Sequence, residues 1–486
     1  MLFNSLNFAL FVPVVFVLYW FAANKNLTLQ NVLLLAASYF FYACWDYRFL
    51  FLLIFSTFLD FYTGSKIYTA KRPANKRFWL WLSVGINLGF LGIFKYYNFF
   101  AGSFTELLSE FGIRAGFTTI NVILPVGISF YTFHGLSYVF DIYRKRVIPV
   151  KSFIEYSVFV SFFPLLVAGP IERATHLLPQ IQQKRTFDYA KAVDGLKQIL
   201  WGLFKKIAIA DNCAEFANMI FNNYPHYPGS TLVLGALFFT FQIYCDFSGY
   251  SDIALGVARL FGIELLRNFA YPYFSRDIAE FWRRWHISLS SWFKDYLYIP
   301  LGGSRGNTWS RIRNTFIIFL VSGLWHGANW TFLAWGALNA VYFIPLLLSN
   351  RNRTHIETVA KGKLLPSLKD GLNILVTFAL TVFAWIFFRS DSITAAFHYI
   401  KGIFSRSLFV LPTGDSLGGG TSSVVTIIIL TLIFMVIEWL GREQQFAIAA
   451  TGKTWLKPFR WMFYLTIVVT IFYFSGIQQQ FVYFQF

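Results

Sequence analysis

Long apolar stretches recur along the whole sequence, and they constrain the fold more than any other feature. Several approach the roughly 20 residues that an α-helix needs to cross a bilayer, and others are short for a straight span. Because backbone N–H and C=O groups cannot bond to water inside lipid, such stretches fold as helices. The sequence therefore predicts an all-α polytopic membrane protein with about ten to twelve transmembrane helices. The stretches are residues 8–22, 29–45, 49–62, 78–100, 120–143, 153–168, 232–244, 314–325, 330–348, 375–388, 424–439 and 461–474.

The charge content agrees with a membrane location. Charged residues make up 13% of the chain and hydrophobic residues 56%, whereas soluble domains carry about 25% charged residues. The net charge of +18 would suggest nucleic acid as a partner in a soluble protein. In a membrane protein it is typical of cytoplasmic loops and of contact with anionic headgroups. We therefore expect membrane lipids as partners, and no nucleic acid.

No polar stretch is long enough to form a core of its own, so we predict a single integral membrane domain over residues 1–486. Residues 1–168 read as N-terminal spans and residues 314–486 as the later spans. Residues 169–313 mix charges with apolar side chains at helical spacing, with Leu196, Ile199, Leu200 and Leu203 on one face. This middle region is predicted to contain spans together with re-entrant or interfacial helices.

The sequence carries no signature of a metal or of a tightly bound cofactor. Cys44, Cys213 and Cys245 are widely spaced and lie mostly within apolar runs, which is typical of buried small side chains. The glycine-rich segments lack the lysine of a phosphate-binding loop, and no hydrolase nucleophile motif is present. We expect neither a metal site nor a tightly bound cofactor.

Several ionisable residues fall within apolar stretches, where burial is costly and usually marks a functional site. His326 lies between Trp325 and Gly327, and a continuous helix would bring Asn329 onto roughly the same face. Such a histidine is either a chemical group or a structural one bonded to another helix.

Two carboxylates, Asp246 and Asp252, interrupt another apolar stretch at residues 241–256. Buried carboxylates need partners, and Arg283, Arg284 or a histidine are candidates. They would serve as ligands or proton relays, or equally as structural ion pairs.

Residues 281–306 are polar and aromatic although their surroundings read as membrane-spanning. Three- and four-residue spacing puts five side chains on one helical stripe, with the arginines beside lipid headgroups and His286 at the border of the stripe. His286 and His326, on separate elements, would meet at the wall of a tunnel, where a neutral imidazole can act as a general base. The stripe consists of Trp282, Trp285, Leu289, Trp292 and Tyr296.

At these residues the chain resembles the membrane-bound O-acyltransferase family, and within it the bacterial alginate O-acetyltransferase-like branch. The resemblance covers most of the chain and rests on segments that occur in a fixed order. The two central segments are "RNFAYPYFSRDIAEFWRRWHISLSSWFKDYLYIPLGG" and "GLWHGANWTFLAWG"; supporting segments are "LPVGISFYTFHGLSYVFDIYR", "VAGPIERATHLLPQ", "YCDFSGYSDIALG", "AWIFFRS" and the terminal "FVYFQF".

The resemblance implies a ring of helices around a central tunnel, with His326 as the catalytic histidine and His286 as the second one. Trp325 and Asn329 are candidates for positioning the reacting groups. The resemblance also implies an acyl thioester donor, such as acetyl-CoA or an acyl carrier, and an acetyl group passed across the cytoplasmic membrane of a bacterium. The acceptor would be an exported or cell-surface polysaccharide, reached through an extracytoplasmic partner of the SGNH-hydrolase type.

Two alternatives remain open from the sequence. A sister branch transfers D-alanine from a carrier protein to teichoic acid, and it would use the same two histidines. A transporter or flippase would instead use Asp246 and Asp252 as coupling or substrate sites, since polar groups near the midplane often have that role.

Overall fold

The computed structural model describes residues 1–113, 116–117, 119–120, 123–167, 169–412, 423–452, 455–476 and 478–482. The elements in these ranges are helices without a strand, so the predicted all-α fold is confirmed. They form two compact units. The first unit comprises residues 1–192 and 257–266, and the second comprises residues 193–256 and 267–486. The division of the sequence at residues 168 and 313 stays a prediction.

Several helices meet the requirements for crossing a membrane. Five described helical stretches are long and apolar enough: Leu27–Thr69, Pro73–Glu110, Gly229–Leu260, Trp330–Leu348 and Leu368–Arg389. Two shorter apolar helical stretches are Leu6–Ala22 and Val424–Leu440. A bilayer core is about 30 Å thick, and a helix rises 1.5 Å per residue. The chain is therefore a multi-pass membrane protein.

The described residues of the first unit form seven α-helices, together with the start of the helix Tyr189–Leu203 and the end of the helix Gly229–Leu260, which lie mainly in the second unit. Two predicted spans, 29–45 and 49–62, are the arms of one element, α2, which is kinked where Asp46 leaves the helical conformation (φ −158°, ψ 111°). The seven helices are α1 (Leu6–Val17), α2 (Leu27–Thr69), α3 (Pro73–Leu91), α4 (Tyr97–Glu110), α5 (Ile128–Tyr143), α6 (Phe153–Ser161) and α7 (Ala174–Ile181).

Two other predicted spans of the first unit are shorter than a bilayer crossing. The stretches 120–143 and 153–168 form α5, of 16 residues, and α6, of nine residues. Helix α5 is almost entirely buried, and six of the nine residues of α6 are buried. Residues 121–122 and 168 of these stretches lie outside the described residues. These two helices therefore belong to the interior of the first unit.

The second unit contains the remaining helices, and the segment Phe204–Ala210 continues α8 as a π-helix. The helices are α8 (Tyr189–Leu203), α9 (Asp211–Asn222), α10 (Gly229–Leu260), α11 (Ile278–Arg284), α12 (Ile287–Phe293), α13 (Thr308–His326), α14 (Trp330–Leu348), α15 (Leu368–Arg389), α16 (Ile393–Ile403), α17 (Val424–Leu440) and α18 (Lys457–Tyr473).

Helices α8 and α10 touch backbone to backbone through glycines. A Cβ added at Gly202 would lie 2.6 Å from the carbonyl oxygen of Gly249, and one added at Gly256 would lie 2.4 Å from that of Gly195. Small residues permit such an approach between helices. The contact brings the π-helical end of α8, with its two lysines, beside α10.

The buried side of α8 differs from the predicted one. Gln198 and Trp201 are fully buried, whereas Leu196, on the predicted apolar face, is 55% exposed. Glycine contacts with α10 set the packed side of this helix. The interpretation of α8 as an interfacial or re-entrant helix stays a prediction.

Helices α13 and α14 form a hairpin that is equally close. A Cβ at Gly323 would lie 2.2 Å from the carbonyl oxygen of Phe332, and one at Gly336 would lie 2.3 Å from that of Phe319. No side chain fits at either position while the helices keep this separation. The hairpin therefore fixes the end of α13, where His326 lies.

We expect Gly323→Ala to destabilise the second unit, because the added methyl group forces α13 and α14 apart. Overpacking of this kind costs about 1–3 kcal/mol. Gly371→Ala in α15 is the matched control, since a Cβ there meets nothing within 4 Å. The midpoint of thermal unfolding in detergent should fall for Gly323→Ala and stay unchanged or rise for Gly371→Ala. Equal midpoints would show that the hairpin tolerates the wider spacing.

Candidate active site

His286 lies in a break between α11 and α12. Its backbone is left-handed, with a φ of 43°, which is uncommon for a residue with a side chain. Two backbone hydrogen bonds hold the break: the N–H of Ala270 donates to the C=O of Arg284 at 2.9 Å, and the N–H of Ile287 donates to the C=O of Asn268 at 2.9 Å. The single helical stripe predicted for this stretch is therefore wrong, because the helix is interrupted at His286.

The imidazole of His286 is buried and has a fixed polar neighbour. Its Nδ1 lies 3.0 Å from Oδ1 of Asn268, and only 1% of the residue is exposed. Burial lowers the pKa of His286 to about 3, because a charged ring is disfavoured away from water. His286 is therefore neutral at physiological pH, which a proton acceptor requires.

His326 is the last residue of α13 and is also buried, with 4% exposed. Its ring contacts those of Trp335 and Phe388, with centroids 5.2 and 5.3 Å away. Gly327, which follows, has no room for a side chain, because a Cβ there would lie 2.1 Å from the ring of Phe332. The hairpin and the neighbouring aromatic rings together hold this imidazole in place.

Trp325 connects the two histidines. Its ring centroid lies 5.7 Å from that of His286 and 4.8 Å from that of His326. A second aromatic path runs from Trp285 through Trp385 to Trp335, with centroid distances of 5.1 and 5.6 Å. The structure thus brings His286, His326 and Trp325 into one buried aromatic cluster, as the sequence predicted for the two histidines.

Asn329 lies on a different element from His326. The helix ends at His326, and Asn329 is the N-cap of α14, where its side chain accepts a hydrogen bond from the N–H of Thr331 at 3.0 Å. Its amide group also donates to the C=O of Asp391 at 3.1 Å. The expected shared helix face is wrong, because Gly327 is extended and ends the helix. These bonds describe a helix cap.

The two predicted carboxylates pair with lysines. Asp246 Oδ1 lies 2.7 Å from Nζ of Lys206, and Asp252 Oδ2 lies 2.5 Å from Nζ of Lys205. Asp246 Oδ2 also accepts a hydrogen bond from the N–H of Val482 at 2.7 Å. The expected pairing with Arg283, Arg284 or a histidine is wrong, because the α8–α10 contact supplies closer cations.

The two arginines of α11 bind other groups. Arg284 pairs with Glu280 at 2.8 Å, and Arg283 donates to the C=O groups of Asn352 and His355, both at 2.7 Å. Glu280 is 1% exposed, so Arg284 neutralises a buried charge within its own helix. These contacts hold α11 against the loop that follows α14. The expected position of the two arginines beside lipid headgroups stays a prediction.

A small polar cavity of about 20 Å³ lies beside Asn268. Its lining includes Lys205, Ser251, Asp252 and Glu438, and its volume suits about one water molecule. Glu438 accepts hydrogen bonds from the hydroxyl of Tyr244 at 2.6 Å and from Nε1 of Trp201 at 3.1 Å. Polar groups therefore surround the side of Asn268 that faces away from His286.

Four residues in or beside the candidate site were not predicted from the sequence: Asn268, Lys205, Lys206 and Glu438. A signal existed for three of them, because a lysine pair in "LFKKIAIA" and a single acid in "FMVIEWL" are costly within apolar helices. Asn268 had no such signal, since it lies in a loop. The terminal "FVYFQF" is described only at Phe481 and Val482. In the described part of the chain, no group of three His, Cys, Asp or Glu side chains could hold a metal ion.

The fold and the site define a class: a multi-pass helical membrane protein with two buried histidines beside one tryptophan. The family model of the MBOAT, membrane-bound O-acyltransferase, family matches residues 129–387. The match covers more than half of the chain and includes both histidines. This chain belongs to that family, and it is an acyltransferase.

Curated relatives resemble the chain over most of its length. The probable alginate O-acetylase AlgI of Pseudomonas aeruginosa is 38% identical over 446 residues, which cover 91% of this chain and 82% of the relative. The peptidoglycan O-acetyltransferase of Helicobacter pylori is 36% identical, over 83% of this chain and 80% of the relative. The teichoic acid D-alanyltransferase of Streptococcus thermophilus is 29% identical, over 54% of this chain and 68% of the relative. The O-acetyltransferases are thus more similar to the chain than this D-alanyltransferase.

Proposed function

We propose that this chain is a membrane O-acetyltransferase that moves an acetyl group from a thioester donor across the cytoplasmic membrane of a bacterium. The final acceptor is a hydroxyl group of an exported or cell-surface polysaccharide. The observation that carries the proposal is the pair of buried histidines joined through Trp325. It is supported by relatives whose names give alginate and peptidoglycan as the polymers that they modify.

In this mechanism His326 is the general base. Its imidazole takes the proton of the hydroxyl that first receives the acetyl group, as the oxygen of that hydroxyl attacks the thioester carbonyl, and it returns the proton to the departing thiolate. One C–O bond forms and one C–S bond breaks, so the products are an ester and a free thiol. A well-placed base contributes about 10²–10⁴ in rate.

His286 assists the same step from the other side of Trp325. Because its ring is neutral and buried, it can accept a hydrogen bond from another O–H or N–H group of the bound substrate without adding a charge to the site, while His326 takes the single proton of the attacking hydroxyl. The surrounding rings of Phe247 and Phe269, with centroids 4.6 and 6.3 Å from that of His286, keep water away from the thioester. Hydrolysis of the donor would otherwise compete with transfer.

The distribution of basic residues supports a cytoplasmic donor. Residues 349–367 connect the spans α14 and α15 and carry Arg351, Arg353, Lys361 and Lys363, and short loops rich in Lys and Arg lie in the cytoplasm. Arg283 donates to the backbone of this loop. We infer that acetyl-CoA or an acyl carrier approaches from that side. An extracytoplasmic partner of the SGNH-hydrolase type, which the family resemblance implies, completes the transfer to the polysaccharide.

The environment of the aspartates weakens the transporter alternative. A coupling site needs carboxylates that can exchange their partners, but Asp246 and Asp252 each lie within 2.7 Å of a lysine ammonium in the second unit. Acetyl transfer therefore explains more of the buried polar residues than transport does.

We expect deletion of the gene to remove most of the alkali-labile acetyl from the surface polysaccharide, and the wild-type gene to restore it. The measurement is acetate released by mild alkali from purified polysaccharide. D-alanine esters, measured in the same samples, should stay unchanged. Unchanged acetyl in the deletion strain would refute the proposal, and a loss of D-alanine with normal acetyl would establish the alternative branch.

A further inference from the structure

We propose that Asn268 is a positioning residue that holds His286 in the tautomer with its ring proton on Nδ1, so that Nε2 presents a lone pair to the substrate. The inference rests on the proposed function, in which His286 takes part in acyl transfer, and it deepens that function. It makes Nε2 of His286 a hydrogen-bond acceptor at the start of each turnover. A neutral His286 then cannot donate the hydrogen bond that a developing oxyanion needs.

The contacts of the Asn268 amide group fix its orientation. Its Oδ1 lies 3.3 Å from the backbone N of Ser288 and 2.9 Å from the hydroxyl of the same residue. A backbone N–H can only donate, so the amide atom that faces it must be the oxygen. The opposite end of the amide, Nδ2, donates to Oγ of Ser251 at 3.3 Å. The contacts at both ends thus agree on one orientation.

The orientation of the amide determines which nitrogen of His286 carries the ring proton. The same Oδ1 lies 3.0 Å from Nδ1 of His286, and an amide oxygen has no proton to give. A hydrogen bond at this distance therefore requires the proton on Nδ1 of the imidazole. Because the neutral ring carries a single N–H, Nε2 holds the lone pair.

Asn268 also holds the backbone around His286. The C=O of Asn268 accepts the N–H of Ile287 at 2.9 Å, while its side chain binds His286 and Ser288. Asn268 thus contacts three consecutive residues, 286–288, at the point where the backbone turns left-handed. A conformation of that kind persists only when its surroundings hold it, so Asn268 determines both the direction and the tautomer of the ring.

The charges nearby explain why an amide suits this position. Asn268 shares the cavity of about 20 Å³ with Lys205, Asp252, Arg267 and Glu438, whereas the rings against His286 are Phe247, Phe269 and Trp325. A carboxylate in place of the amide would favour the protonated imidazole. The amide accepts the same hydrogen bond without that charge, and the ring stays neutral.

The test compares Asn268→Leu with Asn268→Asp. Leucine has a similar size but no acceptor atom, and we expect the initial rate of transfer to fall about 10–100-fold, the range typical when a residue that orients a functional histidine is removed. The assay uses membranes of the producing cells with labelled acetyl-CoA and measures acetyl in the polysaccharide per copy of the protein. Asn339→Leu is the matched control, since Asn339 is 3% exposed and its amide donates to the C=O of Trp335 in its own helix, α14.

The aspartate variant predicts a pH effect with a definite sign. In the wild type, burial lowers the pKa of His286 to about 3, so protonation of this ring does not limit the rate above about pH 4. The carboxylate introduced by Asn268→Asp raises that pKa, so the rate should fall as the pH drops through the new, higher value and recover at higher pH. A merely structural role for Asn268 would lower the rate equally at every pH.

A spectroscopic readout separates this inference from the proposed function. Nitrogen-15 NMR of labelled histidine distinguishes protonated from unprotonated ring nitrogens, and the His286→Gln spectrum assigns the signal among the seven histidines. We expect Nδ1–H in the wild type and a mixture of tautomers in Asn268→Leu. This result would support the inference even if acetyl-CoA yields no transfer, which would count against the function alone. An Nε2–H signal in the wild type, or an unchanged tautomer and rate in Asn268→Leu, would overturn the inference.

Discussion

Glutamine in place of His326 is expected to reduce acetyl on the polysaccharide to the level of the deletion strain. Glutamine has a polar end and a similar size, but it cannot take a proton near neutral pH. The loss of a general base costs about 10²–10⁴ in rate. The ring of His326 is only 4% exposed and packs against Trp335 and Phe388, so an alanine would also leave a cavity. Glutamine therefore isolates the chemical effect.

The matched control for this prediction is His398→Gln. His398 lies on α16 of the same unit, but its side chain is exposed, and we expect it to keep full activity. The protein level in the membrane and the unfolding midpoint in detergent are measured for both variants. Normal acetyl in His326→Gln at normal abundance would remove His326 from the chemical step.

The helices could be predicted well because apolar runs and their lengths identify them. Most predicted spans coincide with a helix, and α14 matches its predicted boundaries of 330–348. The kink at Asp46 joined two predicted spans into α2. The short, buried helices α5 and α6 looked like spans because interior helices and lipid-facing helices are equally apolar. Hydropathy indicates that a helix is shielded from water, but it does not distinguish shielding by lipid from shielding by other helices.

The break at His286 could not be predicted because its sequence satisfies helical spacing on both sides. Two backbone hydrogen bonds from residues 268 and 270 stabilise the break, and these partners lie 14 to 19 residues earlier in the chain. The same segment supplies Asn268. The local spacing of apolar residues therefore predicts neither the backbone break at His286 nor the contact with Asn268.

The two histidines themselves could be predicted because a titratable side chain inside an apolar run is costly wherever it packs. The energetic cost of burying such a side chain implies that it has a polar partner, but it does not identify that partner. Asp246 and Asp252 needed cations, and the sequence favoured the arginines of α11. The close glycine contact between α8 and α10 places Lys205 and Lys206 beside the two aspartates, and these lysines are their partners.

The pair of Lys206 and Asp246 leads to a second large prediction. Both side chains are at most 1% exposed, and Lys206 also lies 2.7 Å from Oδ1 of Asp211. Removing one partner of a buried pair costs about 3–5 kcal/mol, because it leaves a charge without compensation. Lys206→Met leaves two carboxylates facing each other, whereas Asp246→Asn leaves the lysine with Asp211. We therefore expect Lys206→Met to be the more destabilising change.

The double variant Lys206→Met/Asp246→Asn distinguishes a charge effect from a packing effect. If the uncompensated carboxylate causes the damage, the double variant should unfold at a higher temperature in detergent than Lys206→Met alone. Additive losses would show that the two side chains act independently. Glu357→Gln is the control, because Glu357 and Lys361 are 75% and 65% exposed and exposed pairs contribute little. Rescue in the double variant would show that Asp246 stabilises the second unit by compensating the charge of Lys206. Its carboxylate would then not be needed once Lys206 is replaced by an uncharged residue.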